Sequence, residues 1–320
     1  MPAPLVVAVV GPTAAGKSDL AVALSERLGG EVVNADAMQV YRGMDIGTAK
    51  ISTAERHGVP HHLLDILDVT ETATVAEFQQ LAREAVDDCI TRTKVPVLAG
   101  GSALYVRAIL DDFVFPGTDP VVRARLEAEL AADGSGALHN KLRELDPAAA
   151  DQILPSNGRR IVRALEVVEI TGGPYVATLP EHRYVYPGAI QLGLDVPRPE
   201  LDARIDLRVD RMFDAGFVAE VRGLLDKGLI EGKTANRALG YSQVIALLNG
   251  EIDETQARER TAQATRRFAR RQDSWFRKDQ RISWLQYNDP DLVEKALRVI
   301  AQGNRRGIGG VVGVESNARG

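Results

Sequence analysis

Short, continuous runs of apolar residues recur along the first hundred residues of the chain. They occupy residues 5–10 and 95–99, whereas the shorter candidate at 31–35 and the weaker one at 62–66 also contain polar residues. Continuous apolar runs are typical of strands buried on both faces of a parallel sheet, whereas strands with one face in solvent alternate apolar and polar residues. The pattern therefore predicts buried parallel strands at these positions.

Amphipathic segments separate the predicted strands. Residues 17–28 place Leu20 and Leu24 on one helical face and are followed by glycines that end a helix. Thr74 and Glu77 have the spacing of a capping box, which predicts a second helix directly behind them. Strands that alternate with helices indicate a parallel α/β sheet.

The pattern becomes purely helical after about residue 115. The pairs Asp119-Pro120 and Asp146-Pro147 combine a preferred N-cap residue with proline at the first helical position. A third helix is expected at 159–171, where glycines follow it. We therefore expect an all-helical insertion at 116–190.

Strand character returns after the insertion, so the α/β core is expected to resume. The expected elements are a strand at 191–196, helices at 199–216 and 255–276, a strand at 282–286 and a helix at 290–300. The predicted domains are a core formed by 1–115 and 191–302, the insertion at 116–190, and a glycine-rich disordered tail at 303–320.

A phosphate-binding motif follows the first predicted strand and opens the first helix. Its residues match G-x-x-x-x-G-K-[ST] in full and are Gly11, Pro12, Thr13, Ala14, Ala15, Gly16, Lys17 and Ser18. Backbone N–H groups and the helix N-terminus would hold phosphate oxygens, with Lys17 on the phosphates and Ser18 on Mg²⁺. The predicted fold class is a P-loop NTPase-like parallel sheet with a helical insertion.

The P-loop alone leaves the ligand open, and a small-molecule kinase is the usual interpretation. Asp36 follows the second predicted strand and should face the same crevice, because ligands lie at the carboxyl ends of parallel strands. A turn or cap residue is the alternative for Asp36. A noncatalytic RNA-binding module is a further alternative, but it leaves the complete P-loop and Asp36 unexplained.

The P-loop together with the segment DAMQVYRGMDIGTAK resembles the tRNA dimethylallyltransferase (isopentenyl-tRNA transferase) family. The resemblance extends in order to about residue 300 and includes PHHLLD at 60–65, GGSALY at 100–105, RRIVRALE at 159–166, RALGY at 237–241 and RRQDSWFR at 270–277. Ser18 and Ser102 stand where the family often has threonine, and both positions keep a hydroxyl.

This resemblance implies an enzyme that moves the dimethylallyl group of dimethylallyl diphosphate onto an adenosine of tRNA. The acceptor is the exocyclic N6 amine of the adenosine 3′ of the anticodon, in tRNAs that read codons starting with U. The P-loop, Lys17 and Mg²⁺ would stabilise the departing diphosphate, and Asp36 would orient the amine and take its proton. The resemblance adds Arg208 as a diphosphate contact, although a surface helix residue is the alternative.

The resemblance also implies a surface for the tRNA anticodon stem-loop, provided largely by the insertion. The residues it assigns to tRNA are Asp36, Ala37, Met38, Gln39, Ser102, Arg123, Arg159, Arg160, Ile161, Val162, Arg163, Arg237, Arg270 and Arg271.

The segment at 266–278 carries many arginines interleaved with aromatic residues. This mixture suits phosphate contacts combined with stacking on bases. An amphipathic core helix with a solvated charged face is the alternative.

Composition limits the partners and the compartment that we expect for this chain, and the roles of its cysteine and histidines. The net charge of −5 is unfavourable for nucleic acid unless a local basic face exists. Cys89 is the only cysteine and is expected to be a buried small apolar residue, and His61 and His62 are expected to be structural. We expect a cytoplasmic monomer without a signal peptide or membrane partner.

Overall fold

The computed structural model describes residues 3–175 and 182–309, with only the backbone described for 304–309. Six strands form one sheet in the order β3-β2-β4-β1-β5-β6, and every pairing is parallel. The strands are β1 (Leu5–Val10), β2 (Glu31–Asn34), β3 (His61–His62), β4 (Pro96–Ala99), β5 (Gly188–Asp195) and β6 (Ile282–Gln286). The parallel α/β sheet predicted from the apolar runs is confirmed.

The helices follow the strands in the order that a parallel sheet requires. They are α1 (Lys17–Leu28), α2 (Val75–Thr91), α3 (Ala103–Leu110), α4 (Pro120–Leu145), α5 (Pro147–Gln152), α6 (Gly158–Thr171), α7 (Arg198–Asp214), α8 (Phe217–Leu225), α9 (Tyr241–Leu248), α10 (Glu254–Phe276) and α11 (Leu292–Gly309). A short 3-10 helix at Ala235–Arg237 lies between α8 and α9.

Both faces of the sheet are covered, as the continuous apolar strands require. Alternate residues of β1 enter two different core clusters: Val6 and Ala8 belong to one, and Val7 and Val9 belong to the other. All four side chains are fully buried. The carboxyl ends of β1, β2 and β4 therefore lie side by side at one edge of a rigid sheet.

Caps explain where several helices begin. The Thr74 hydroxyl accepts a hydrogen bond from the Glu77 backbone N–H at 3.2 Å, at the start of α2. Asp119 accepts from the N–H groups at the start of α4, and Asp146 accepts from the Ala149 N–H at 3.0 Å in α5. The predicted N-cap residues are confirmed at all three helices.

Two expected elements differ from the structure. The strand expected at 62–66 is limited to β3, because Leu63 and Asp65 adopt positive φ angles of 63° and 57° that no strand accommodates. The disordered tail expected from 303 begins too early, since α11 continues to Gly309. Gly303 packs so closely on Ile190 that a Cβ would lie 2.8 Å from its Cδ1; residues 310–320 lie outside the described residues.

The chain divides into two compact units. One comprises Met1–Asp111 and His182–Gly320, and the other comprises Asp112–Glu181. The second unit contains α4, α5 and α6 around its own hydrophobic cluster, which includes Leu126, Leu142 and Leu165. The insertion expected at 116–190 extends too far at its C-terminal end, because β5 already begins at Gly188.

In the described part of the chain, no helix is both long and apolar enough to span a bilayer.

Candidate active site

The phosphate loop connects β1 to α1 with a backbone that needs glycine. Gly11 and Gly16 have φ angles of 135° and 98°, which residues with a Cβ rarely adopt. Gly16 is the N-cap of α1 and offers no side-chain cap, so the first N–H groups of the helix face outward to an anion. Ala14 has a φ of 64°, and its carbonyl accepts a hydrogen bond from Arg204 Nε at 2.7 Å.

Lys17 is the first residue of α1 and turns back over the loop. Its Nζ donates to the Pro12 carbonyl at 2.7 Å. Burial, followed by the charge of Arg208, lowers the pKa of Lys17 to about 8, and the negative charge of Asp36 opposes this shift. The ammonium group therefore lies in a crevice that already holds a second cation and one carboxylate.

Arg208 is that second cation, and α7 brings it to the loop. Its Nη1 donates to Thr13 Oγ1 at 3.2 Å. Burial lowers the pKa of Arg208, while the carboxylates of Asp36 and Asp19 raise it. The alternative of a surface helix residue does not fit this position, since two cations facing one phosphate loop form a site suited to a multivalent anion.

Asp36 lies just beyond β2. Its backbone N–H donates to Asn34 Oδ1 at 2.9 Å, and its own Oδ1 accepts from the Met38 N–H at 2.9 Å. Its Oδ2 accepts no hydrogen bond from any described residue. The negative charge of Asp36 raises the pKa of both Lys17 and Arg208, so Asp36 lies near the phosphate loop.

The segment after Asp36 folds back on itself and is held by the side chains of Lys50 and Glu220. Lys50, with a side chain 3% exposed, donates to Asp45, Asp65 and the Tyr41 carbonyl at 2.5–2.8 Å. The Glu220 carboxylate of α8 accepts from the backbone N–H groups of residues 45, 46 and 47. The family-like segment is therefore a constrained loop.

Gln39 belongs to this constraint. Its side-chain amide donates to the carbonyls of Thr48 and Ala49 at 3.2 and 3.4 Å. The amide expected to contact tRNA thus closes the loop internally, and residues 36–39 are half-buried.

The end of β4 approaches the same crevice through two glycines. A Cβ on Gly100 would lie 2.2 Å from the Ala35 carbonyl oxygen, so only glycine fits between β2 and β4 here. Ser102 caps α3 without a side-chain hydrogen bond, which leaves its hydroxyl unused by the described residues. The buried Tyr105 follows in α3, and burial, Tyr41 and Asp36 raise the pKa of its phenol to about 12.

Another polar cluster lies at the opposite, amino-terminal end of β2. His62 Nε2 and Cys89 Sγ approach Glu31 Oε2 to 2.7 and 3.7 Å. Sequence spacing missed this cluster because its members come from three elements, although together they offer ligand atoms within 4.8 Å of one another.

The chemistry of this cluster favours a structural role. Arg92 donates to both Glu31 oxygens at 2.6 and 2.7 Å, and these bonds, against the effect of burial, lower the pKa of Glu31 to about 2. Burial and the Glu31 charge raise the pKa of Cys89 to about 11, so the thiol keeps its proton. A paired carboxylate and a protonated thiol are poor metal ligands.

The basic segment of α10 separates into paired and unpaired arginines. Arg266 forms an ion pair with Asp206, and Arg277 pairs with Asp195 while lying over the Trp284 ring. Arg270 is exposed and has no ion-pair partner among the described residues, and Arg271 stacks 5.9 Å from the Phe268 centroid. Arg237, in the 3-10 helix, is also exposed.

Within the helical unit, the expected tRNA residues fall into three groups. Arg159 and Arg160 are exposed at the start of α6. Arg123 and Arg163 instead pair with the fully buried Glu166. The remaining two are core residues with side chains 0% and 1% exposed, which corrects the expectation that they contact RNA: Ile161 and Val162.

Several residues around the phosphate loop were missed by the sequence reasoning. Arg204 and Gln272 both hydrogen-bond to the loop, although about 190 and 259 residues separate the partners. A signal existed for Gln272, which is a polar residue on the buried stripe that Ala269 and Phe276 define in α10. Lys50 and Glu220 gave no comparable signal.

Comparison with known proteins identifies the family. A sequence model of the family described as IPP transferase matches residues 39–279. A protein named tRNA dimethylallyltransferase from Thermobifida fusca is 62% identical over 302 residues, which cover 93% of this chain and 94% of the relative. One of the same name from Streptomyces coelicolor is 64% identical over 293 residues, covering 92% and 94%.

Solved structures of tRNA-prenylating enzymes are similar to this chain over most of its length. The tRNA isopentenylpyrophosphate transferase of Bacillus halodurans superposes with a TM-score of 0.72 at 38% identity, over 95% of this chain and 98% of that one. A eukaryotic dimethylallyltransferase acting on tRNA gives a TM-score of 0.80 at 26% identity, over 95% and 79%. This chain therefore belongs to the IPP transferase family of prenyl-transferring enzymes.

Proposed function

We propose that this chain transfers the dimethylallyl group of dimethylallyl diphosphate to the N6 amine of the adenosine 3′ of the anticodon, in tRNAs that read codons starting with U. The observation that carries the proposal is the shared crevice of an anion-binding loop and a carboxylate. Lys17 and Arg208 face the loop, and both sense the charge of Asp36.

The loop is the proposed site of the diphosphate. Its uncapped helix N-terminus, the Lys17 ammonium and the Arg208 guanidinium offer positive charge where the leaving group becomes more negative. Positive charge that is positioned before the reaction stabilises the transition state more than the bound substrate, because the leaving oxygen is more negative in the transition state. These groups therefore favour cleavage of the bond between the prenyl carbon and the diphosphate oxygen.

Ser18 is the proposed protein ligand of Mg²⁺. Its half-buried hydroxyl, at the second residue of α1, forms no hydrogen bond with any described residue. A hydroxyl beside a phosphate site is a hard oxygen donor of the type that Mg²⁺ prefers, so the residues fit this ion. When bound, Mg²⁺ supplies charge neutralisation of the diphosphate.

Asp36 is the proposed proton acceptor. Its Oδ2 is unused by the described residues, whereas its Oδ1 is fixed by the Met38 N–H. As the new bond forms between N6 and the prenyl carbon, one N6 proton passes to this carboxylate and diphosphate departs. Asp36 acts as a general base, with the amine held by a hydrogen bond before transfer.

The proposed tRNA surface consists of exposed basic residues and the loop around the acceptor. The target base must leave its stack in the anticodon loop to reach Asp36. The residues proposed to contact tRNA are Asp36, Ala37, Met38, Ser102, Arg159, Arg160, Arg237, Arg270 and Arg271. Arg123, Arg163 and Gln39 support these surfaces through their internal bonds.

A direct assay tests the proposal against an ATP-dependent kinase on the same loop. The purified chain is incubated with dimethylallyl diphosphate, Mg²⁺ and unmodified tRNA, and nucleosides are analysed by mass. We expect a prenylated adenosine, tRNA-dependent release of diphosphate, and no requirement for ATP. Lys17→Ala should abolish transfer, while Lys94→Ala, at an exposed surface lysine, should not.

Two substrate controls define the acceptor. A tRNA with the adenosine 3′ of the anticodon replaced should accept nothing, and a tRNA reading codons that start with another base should be a poor acceptor. Robust ATP hydrolysis without any prenyl transfer to tRNA would reject the proposal in favour of the kinase alternative.

A further inference from the structure

Gln272 is a buried polar residue that the proposed mechanism does not use. It lies on α10 between the exposed Arg271 and the half-buried Asp273, and only 6% of its surface is accessible. A buried amide that is not hydrogen-bonded is costly, so its partners show what it does.

Both ends of the Gln272 amide are used, and each bonds a different loop of the crevice. Its Oε1 accepts from the Thr13 backbone N–H at 2.9 Å, within the phosphate loop. Its Nε2 donates to the Gly101 carbonyl at 2.7 Å, in the turn between β4 and α3. Because one partner is a donor and the other an acceptor, the amide can lie only one way round.

The surrounding residues are adjusted to this bridge. A Cβ on Gly101 would lie 2.3 Å from Gln272 Nε2, so the turn approaches this closely only because residue 101 is glycine. On the other side, the Thr13 side chain accepts from Arg208 at 3.2 Å. One amide thus sets the distance between the phosphate loop with its arginine and the turn that carries Ser102.

The same helix carries exposed arginines on its other face. Arg267, Arg270 and Arg271 are exposed within one and a half turns of Gln272. Arg270 and Arg271 are among the residues proposed to contact tRNA. A rigid helix therefore connects an RNA-facing surface directly to the phosphate loop.

We propose that Gln272 is a positioning residue, which holds the phosphate loop and the β4–α3 turn at the separation needed for transfer and ties α10 to both. The proposal rests on the proposed function only for its turnover measurement. The effect on diphosphate binding follows from the Thr13 contact alone.

The test uses Gln272→Glu and the matched control Gln263→Glu, which makes the same change at an exposed position of the same helix. An ionised glutamate presents an acceptor to the Gly101 carbonyl and breaks one side of the bridge. A protonated glutamate has one donor and one acceptor, as glutamine does. At this position burial and the Gly101 carbonyl oxygen favour the protonated form of the carboxyl, whereas the Thr13 N–H and the cations Arg208 and Lys17 at the same loop favour the ionised form. The protonated fraction therefore grows only as the pH falls.

We expect prenyl transfer by Gln272→Glu to fall about 10- to 100-fold at pH 8 relative to the control, the range for an unsatisfied buried hydrogen-bonding group. The ratio should rise towards one as the pH is lowered within the range in which the control stays active. Gln272→Met, which has similar volume but neither donor nor acceptor, should lose activity equally at every pH. Thermal melting verifies that each variant is folded.

Calorimetric binding of inorganic diphosphate provides a second readout that does not depend on the reaction. Its affinity should follow the same pH-dependent pattern in Gln272→Glu, while tRNA affinity measured without diphosphate should stay close to that of the control. Prenyl transfer and diphosphate affinity that stay within a few-fold of the control at pH 8 in both Gln272→Glu and Gln272→Met would overturn the positioning role. Failure of the wild type to prenylate tRNA would instead overturn the proposed function and leave the binding test intact.

Discussion

At the scale of single residues, the crevice brings two positive charges and one negative charge together. Burial lowers the pKa of both Lys17 and Arg208, and a neighbouring cation lowers each further: Arg208 acts on Lys17, and Arg204 acts on Arg208. Asp36 offsets part of this cost by its negative charge. A bound diphosphate would remove the remaining repulsion, because its charge favours the protonated form of both cations.

The first prediction concerns the pH dependence of diphosphate binding. The free pKa of Lys17 is lowered to about 8, so the ammonium is charged below pH 8 and neutral well above it. A bound anion raises this pKa, and binding above pH 8 must therefore take up a proton. Affinity for inorganic diphosphate should decrease as the pH rises past 8, with proton uptake measured by calorimetry in buffers of different ionisation enthalpy.

Lys17→Arg is the control for titration of the diphosphate itself. Its guanidinium stays charged throughout, so any loss of affinity above pH 8 then belongs to the ligand. Wild type and Lys17→Arg with the same pH dependence would show that Lys17 keeps its proton in the free protein.

The second prediction concerns Asp36→Asn. The amide keeps the shape and can still accept from the Met38 N–H, but it cannot take a proton. Turnover should fall by about 10²–10⁴-fold, the usual contribution of a general base, with tRNA affinity largely retained. Single-turnover rates should be measured at pH 7 or below, because removing the Asp36 charge lowers the pKa of Lys17 further. A loss of only a few-fold would make Asp36 structural.

At the scale of elements, apolar periodicity predicted the helices and strands whose boundaries depend on residues close together in the sequence. The boundaries of α1 and β6 matched the predicted ones, and the caps of α2, α4 and α5 were identified from single side chains. The helices α3, α8 and α9 were not predicted. The short β3 could not be foreseen, because the positive φ angles of Leu63 and Asp65 leave no mark in composition.

In the site, too, features set by neighbouring residues were predicted and contacts between distant segments were not. The phosphate loop and the crevice position of Asp36 followed from a local motif and the rule for carboxyl ends of strands. The sequence did not predict contacts between distant segments, such as the hydrogen bonds of Arg204 with Ala14 and of Gln272 with Thr13. Which arginines of α10 are neutralised was equally hidden, since their acidic partners lie in other elements.

The third prediction compares an unpaired arginine of α10 with an arginine of the same helix that forms an ion pair. Arg270 is exposed and unpaired among the described residues, whereas Arg266 on the same helix is neutralised by Asp206. Arg270→Ala should weaken tRNA binding and reduce the slope of log affinity against log salt by about 0.7–0.9, as expected for one lost phosphate contact. Arg266→Ala should change this slope little. Equal slopes for Arg270→Ala and the wild type, in salt titrations of tRNA binding, would remove Arg270 from the RNA surface.

At the scale of the whole molecule, each of the two compact units has hydrophobic clusters of its own. The cluster around Leu142 lies entirely within the helical unit, whereas the clusters on the two faces of the sheet support the phosphate loop. A net charge of −5 also means that tRNA binding must come from local basic surfaces and not from the protein as a whole.

The last prediction tests whether the two cores act separately. Leu142 is 0% exposed in the helical unit, and Leu24 is 0% exposed in α1, the helix that follows the phosphate loop. Replacing either by alanine should cost about 2–5 kcal/mol of stability, through lost burial and a new cavity. Leu142→Ala should speed hydrogen exchange within the helical unit and weaken tRNA binding while leaving inorganic diphosphate binding unchanged. Leu24→Ala should weaken diphosphate binding instead. If Leu142→Ala reduced diphosphate affinity as much as Leu24→Ala does, the two cores would have to unfold as one cooperative unit.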